Sequence, residues 1–169
     1  YTRERQRMNV KAQQTMFSNN TDLWETPQGF YDNLNQKFSF TLDPCASALN
    51  TKCTKYYTED DDGLSQDWGG HNVFVNPPYS KAREWVNKAL QESKKPNTTV
   101  VLLVAARTDT RFFHDYCSQA NQIFFIKGRL KFGNSKNSAP FPSMVVIFGG
   151  PTLYVPAKYG RMDNKANEI

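Results

Sequence analysis

Apolar residues recur along this chain in two rhythms, and together they predict an alternation of strands and helices. Phe30, Tyr31, Leu34 and Phe38 are spaced to share one helical face, and Thr26-Pro27 opens that helix because proline suits the first helical position. Phe38 to Leu42 then alternates apolar and small polar residues and ends at Asp43-Pro44, which reads as a strand running into a loop. Tyr56-Tyr57 predicts a short strand that stops at an acidic loop, Glu59 to Gly63, and Val73-Phe74-Val75 predicts another. After it, Ser80 can cap a helix whose apolar positions are Ala82, Trp85, Val86, Ala89 and Leu90. Thr99 to Ala106 is an unbroken apolar run rich in valine, as expected of a parallel strand covered on both faces at the sheet centre.

Downstream, Phe112, Phe113, Tyr116 and Cys117 predict a second amphipathic helix over about 109–120. Ile123 to Ile126 continues into Arg129 to Phe132 as one strand with a bulge at Gly128, and Ser143 to Phe148 is the last strand. Joined directly by a loop, these two strands are expected to form a C-terminal antiparallel hairpin on an otherwise mostly parallel α/β sheet. Residues 22–157 then form the domain, residues 1–21 a basic arm carrying Arg3, Arg5, Arg7 and Lys11, and residues 158–169 a polar tail.

Composition narrows the class. At 169 residues the chain can bury one core without disulfide staples. Cys45, Cys53 and Cys117 form no paired framework, and no secretory signal or membrane-spanning run is visible, so a reducing cytoplasmic setting is expected, with no membrane partner. Cysteines 45 and 53 with His71 and His114 lack the spacing of a zinc site, which argues against a metal. Against 16 Asp plus Glu stand 21 Lys plus Arg, a net charge of +5 that suits a polyanion. Lys81, Arg107, Arg129, Lys131 and Lys136 are the candidate DNA-contacting cations, the last three on the polar segment 129–142.

Candidate chemistry centres on Asn76-Pro77-Pro78-Tyr79, directly after an apolar strand. An exocyclic amino group such as adenine N6 is a poor nucleophile because its lone pair is delocalised into the ring. The Asn76 side-chain oxygen and the Pro77 carbonyl could accept its two hydrogens and draw the nitrogen toward sp3 geometry. The Pro77-Pro78 step would stiffen the turn, and Tyr79 would stack on a base taken out of the duplex. Asp43, at the end of the first parallel strand, sits where open α/β sheets bind ligands and could hold a cofactor amino group. Among the acids 59–62, Glu59 is the first choice for bonding ribose hydroxyls, with Asp60 beside it, and Asp67 before Trp68 offers an acceptor for a cofactor adenine. Cys45 follows a single proline, and amino-group methylation needs no covalent enzyme intermediate, so a nucleophilic cysteine is disfavoured.

Several of these segments, in one order over residues 22–149, resemble the phage-type DNA N6-adenine methyltransferases, the small Dam-like enzymes of bacteriophages and prophages. The resemblance runs through Trp24-Glu25-Thr26-Pro27, Leu42-Asp43-Pro44-Cys45-Ala46-Ser47, Asp62-Gly63-Leu64, Asn76-Pro77-Pro78-Tyr79-Ser80, Arg107-Thr108-Asp109-Thr110, Gly128-Arg129-Leu130-Lys131-Phe132 and Pro142-Ser143. It implies a Rossmann-like fold, S-adenosyl-L-methionine as donor, and transfer to adenine N6 in double-stranded DNA, often within GATC, in a bacterial cytoplasm. It also implies that Thr26 and Pro27 lie beside the methionine carboxylate, and that Asp43, Cys45 and Asn76 lie on the cofactor side. Asp43-Pro44-Cys45-Ala46 replaces the glycine-rich cofactor loop of the wider superfamily, so backbone contacts there do not carry over. At this size no separate target-recognition domain is expected, which would leave DNA reading to short loops, the arm or a second subunit, with monomer and dimer both open. An RNA-adenine or protein-glutamine methyltransferase, or a silent DNA-binding protein of the same fold, remains the alternative.

Overall fold

A computed structural model describes residues 24–47, 49–133, 137–150 and 158–169. The basic arm at 1–21 and Lys136 lie outside the described residues. In chain order the elements are α1 (Gln28–Phe38), β1 (Leu42–Asp43), β2 (Lys55–Tyr56), β3 (Asn72–Val75), α2 (Ala82–Glu92), β4 (Thr99–Ala105), α3 (Arg111–Asp115), β5 (Gln122–Ile126), β6 (Ser143–Gly149) and β7 (Tyr159–Met162). They build one seven-stranded sheet in the order β2-β1-β3-β4-β6-β5-β7. Every pairing is parallel except the two made by β6, which runs antiparallel between β4 and β5.

All seven residues of β4 are buried, because alternate side chains feed two cores. Val101, Leu103 and Ala105 join Phe30, Tyr31 and Leu34 of α1 together with Phe74, Val145 and Ile147 on one face. Val100, Leu102 and Val104 join Trp85, Val86, Ala89 and Leu90 of α2 together with Val73, Val75 and Val146 on the other. The helical spacing expected of α2 is thus the stripe that packs on the sheet.

Four expectations change. Phe38 closes α1 instead of opening a strand, Ser39 taking the left-handed conformation (φ 50°) that ends the helix, so β1 is only Leu42–Asp43. The helix expected over 109–120 is a five-residue α3 followed by a single 3-10 turn, because Tyr116 (φ −125°, ψ −54°) leaves the helical region. Arg129 to Phe132 is not a strand: the ladder of β5 ends at Ile126, and Gly128, in the left-handed region (φ 80°), turns the chain away from it. β5 and β6 pair antiparallel as expected, but across the long 127–142 connection, and among the described residues β6 is not the last strand. The segment read as a polar tail supplies that strand, β7, pairing with β5 from Ile123–Tyr159 to Ile126–Met162. No helix among the described residues is long and apolar enough to cross a membrane.

Candidate active site

Because β1, β2, β3 and β4 are mutually parallel, the residues after each strand share one edge of the sheet. This carboxyl edge is where open α/β sheets bind ligands, and here it carries a cleft of about 230 Å³. Asn76, Pro77 and Tyr79 line it from the end of β3, and Ala105, Arg107 and Thr110 from the end of β4. Trp24, Phe132 and Phe141 complete the wall, from the segment before α1 and from the 127–142 excursion.

The wall is aromatic. Trp24 meets Phe132 and Phe141 edge-on, with ring centroids 5.7 and 5.5 Å apart. Tyr79 lies 5.2 Å from Phe141 at an interplanar angle of 30°, and the Arg107 guanidinium sits 5.1 Å from the Tyr79 ring centroid. The Tyr79 hydroxyl is buried without a hydrogen-bond partner. Trp24, Phe132 and Phe141 escape a reading from spacing, since isolated aromatics carry no periodicity and only the fold brings them together.

Asn76 is half-buried, and its side-chain Nδ2 donates to the Trp24 carbonyl and, at 2.9 Å, to the hydroxyl of buried Thr26. The Thr26 hydroxyl is therefore engaged by Asn76, while Pro27 caps α1, its carbonyl accepting the Tyr31 N–H. Pro77 is buried and Pro78 partly so.

Next along the same edge, Asp43 is only 4% exposed, and its two oxygens accept the backbone N–H groups of Cys45 (3.3 Å) and Lys52 (3.1 Å). Burial pushes its pKa up to about 6, those two hydrogen bonds only partly opposing the shift. The Cys45 thiol is pushed up to about 12, first by burial, then by the Asp43 charge, with Glu59 adding slightly and Lys81 opposing. Cys45 is therefore a thiol at neutral pH, not a nucleophilic thiolate. Asp43 bonds the Cys45 N–H, Glu59 follows β2, which pairs with β1, and Lys81 follows β3 on the other side of β1, so these residues gather along one stretch of the carboxyl edge.

Gly63 makes that gathering possible: a Cβ there would lie 1.9 Å from the Pro44 carbonyl oxygen, so only glycine lets the acidic segment close on the turn after β1. Within that segment Asp61 is consumed by a capping box with Thr58, whereas Glu59 and Asp60 are exposed.

Asp43, Cys45 and Glu59 lie on the carboxyl edge without lining the cleft, and Asp67 is on neither. It precedes β3, so it lies at the amino edge of the sheet, where its Oδ1 pairs with Lys95 at 2.8 Å and accepts the Gly69 N–H at 2.8 Å. Among the cations, Arg107 lines the cleft and Lys81 is exposed just after the Asn76–Tyr79 turn. Exposed Arg129 and Lys131 ride on the segment that delivers Phe132, with Arg129 Nη1 3.4 Å from the Ala139 carbonyl. No cluster of three or more His, Cys, Asp or Glu suited to a metal ion occurs among the described residues.

A ligand cleft with an Asn-Pro-Pro-Tyr turn at the carboxyl edge of a mixed, mostly parallel sheet is compatible with a methyltransferase fold. Residues 13–153 match the family model described as DNA N-6-adenine-methyltransferase (Dam), and the chain belongs to this family of adenine-specific DNA methyltransferases. It is similar to the DNA N-6-adenine-methyltransferase of Haemophilus phage HP1, at 33% identity over 135 residues, covering 75% of this chain and 78% of that one. It is also similar to the enzyme of the same name from Escherichia phage T1, at 32% identity over 111 residues, 64% of this chain and 46% of the longer phage protein.

Proposed function

We propose that this protein transfers a methyl group from S-adenosyl-L-methionine to adenine N6 in double-stranded DNA, on a base turned out of the helix into the aromatic cleft, within a Rossmann-like architecture. The single observation that carries the reading is the Asn76 side chain, whose nitrogen is consumed by Trp24 and Thr26, so that its oxygen is left as an acceptor beside Pro77 and Tyr79.

The residues present fit the donor. Asp43 is a buried carboxylate with no salt-bridge partner among the described residues, which suits a ligand ammonium. Glu59, with Asp60 beside it, lies after β2, where an acid can accept from ribose hydroxyls. Cys45 would add a neutral surface beside Asp43, and Thr26 and Pro27 would hold the methionine carboxylate. When bound, S-adenosyl-L-methionine supplies an electrophilic methyl on a positively charged sulfur.

The chain then has to position its partner. Asn76 Oδ1 and the Pro77 carbonyl each accept one N6 hydrogen, which turns the nitrogen lone pair toward the methyl. The rigid Pro77-Pro78 step holds both acceptors, and Tyr79 with Phe141 gives the extrahelical base a stacking surface. N6, so held, would take the methyl as the C–S bond breaks, the bonding pair staying with the departing thioether. N6 then sheds one proton to solvent on the Asn76 side, so no strong base is needed beforehand. Arg107, Lys81, Arg129, Lys131 and Lys136 supply the phosphate contacts.

The test is transfer of labelled methyl from S-adenosyl-L-methionine with duplex DNA, RNA and a glutamine-containing peptide competing in one reaction, followed by nucleoside and amino-acid analysis. Label in N6-methyldeoxyadenosine is expected, with GATC-containing duplexes the first to compare. Label in RNA or glutamine would replace the substrate, and cofactor binding without transfer would point to a silent DNA-binding protein.

A further inference from the structure

The contacts made by Asn76 carry a second conclusion. A side-chain amide has two nearly isosteric ends of opposite hydrogen-bonding character, so a rotation of half a turn replaces an acceptor by two donors. A flipped Asn76 would present N–H groups to the N–H groups of an exocyclic amine and hold nothing. Something must fix the amide, and the Pro77-Pro78 step that follows constrains only backbone.

We infer that Thr26, together with the Trp24 carbonyl, is the positioning device that locks the Asn76 amide with its oxygen toward the cleft. A backbone carbonyl can only accept, so the end of the amide facing Trp24 is the nitrogen. The Thr26 hydroxyl, 2.9 Å away, takes the second hydrogen and leaves Nδ2 with none to offer the ligand. Thr26 is 3% exposed, so water does not readily substitute for it. The carbonyl is itself anchored, because the Trp24 ring packs on Phe132 and Phe141 and the neighbouring Glu25 carbonyl accepts the Gly133 N–H at 2.9 Å. The segment before α1 therefore determines the chemistry of a side chain about fifty positions further along, the contacts spanning 52 and 50 residues. Thr26 acts here through Asn76, whatever else its own hydroxyl proton bonds.

The catalytic half of this inference rests on the proposed methyl transfer, while the orientation half does not, and the test separates them. In 15N-labelled protein free of cofactor and DNA, the Asn76 side-chain amide is identified as the signal missing from Asn76→Ala. Its two protons should exchange slowly with solvent in the native chain. In Thr26→Val, which keeps shape but loses the acceptor, at least one should exchange about tenfold faster or more, and Thr26→Ser should restore protection. In turnover, Thr26→Val should lower kcat by roughly fivefold to tenfold, the range of one hydrogen bond, with KM for DNA within about twofold, and Thr26→Ser should recover most of the loss. Unchanged amide protection in Thr26→Val, or a serine variant as impaired as the valine one, would overturn the inference even if the protein methylates DNA. Lost protection in a protein that transfers no methyl would uphold the orientation and sink the reading of the reaction. If Thr26→Val lowers the Tm, the serine variant and the amide spectrum still decide.

Discussion

Asp43 and Glu92 are both buried carboxylates, 4% and 2% exposed, yet they stand at opposite edges of the sheet in opposite electrostatic company. Glu92 ends α2 at the amino edge. Lys88 pairs with it at 2.7 Å, Lys95 closes on its other oxygen, and the Trp68 N–H donates at 3.2 Å. Burial alone would raise its pKa, but these three donors outweigh burial and hold it below the ordinary 4.5. Asp43, at the carboxyl edge, is desolvated by burial, which two backbone N–H groups and the Lys52 charge only partly oppose, and its pKa rises from 3.8 to about 6. The amino edge neutralises its charge internally. On the proposed function, the carboxyl edge leaves its charge to be neutralised by what binds.

The signs follow from linkage. Because folding lowers the pKa of Glu92, its stabilising contribution is full above the ordinary 4.5 and is lost as acid protonates it. Because folding raises the pKa of Asp43, protonation favours the folded form below 3.8, and that advantage is lost as pH rises through 6. At neutral pH the ionised Asp43 is a cost to the fold on the order of 3 kcal/mol, and a cationic ligand would relieve it.

Three substitutions sharpen the contrast, taken from the largest effect down. Asn76→Ala removes an acceptor at the reacting nitrogen and should cut single-turnover methylation by roughly a hundredfold or more, while calorimetric affinity for S-adenosyl-L-methionine changes much less; the reverse pattern would move Asn76 out of the chemistry. Glu92→Ala strips the acceptor from the Trp68 N–H and from two partly exposed lysines. It should destabilise the fold by about 1–3 kcal/mol in urea unfolding, with turnover per folded molecule unchanged. A loss of turnover at full stability would erase the distinction between the edges. Asp67→Ala, at an exposed position paired among the described residues with Lys95 and Gly69, should leave cofactor affinity within about twofold, and a larger loss would bring Asp67 back to the site.

How much of this was legible in the sequence depended on whether a pattern had one physical cause. The all-buried β4 was legible as an unbroken apolar run, because a central strand is covered on both faces, and the apolar stripe of α2 as a period of 3.6, because that helix packs one face on the sheet. Asn76 to Tyr79 was legible as a turn at a strand end, and Asp43 as a strand-end carboxylate, because parallel strands collect their carboxyl ends. Arg129 to Phe132 misled, since Leu130 and Phe132 are buried and their neighbours exposed, as in a strand, yet the β5 ladder ends at Ile126 and the chain turns away at Gly128. Tyr159–Met162 was hidden for the converse reason: an edge strand with exposed Tyr159 and Arg161 reads as polar tail. Asp67 was misplaced because an acid before a tryptophan looks alike at either end of a sheet. The Thr26 contact with Asn76 has no local signal at all, being a meeting of two distant segments.

The most direct test of the contrast is calorimetric titration of S-adenosyl-L-methionine into the native chain and Asp43→Asn between pH 5 and pH 7.5. Affinity in the native chain should rise as pH passes through about 6, by up to about tenfold for each pH unit below it, and the asparagine variant should bind weakly with a flat profile. A flat profile in the native chain, or a variant that binds as tightly, would mean that the buried charge at the carboxyl edge is not held for the ligand.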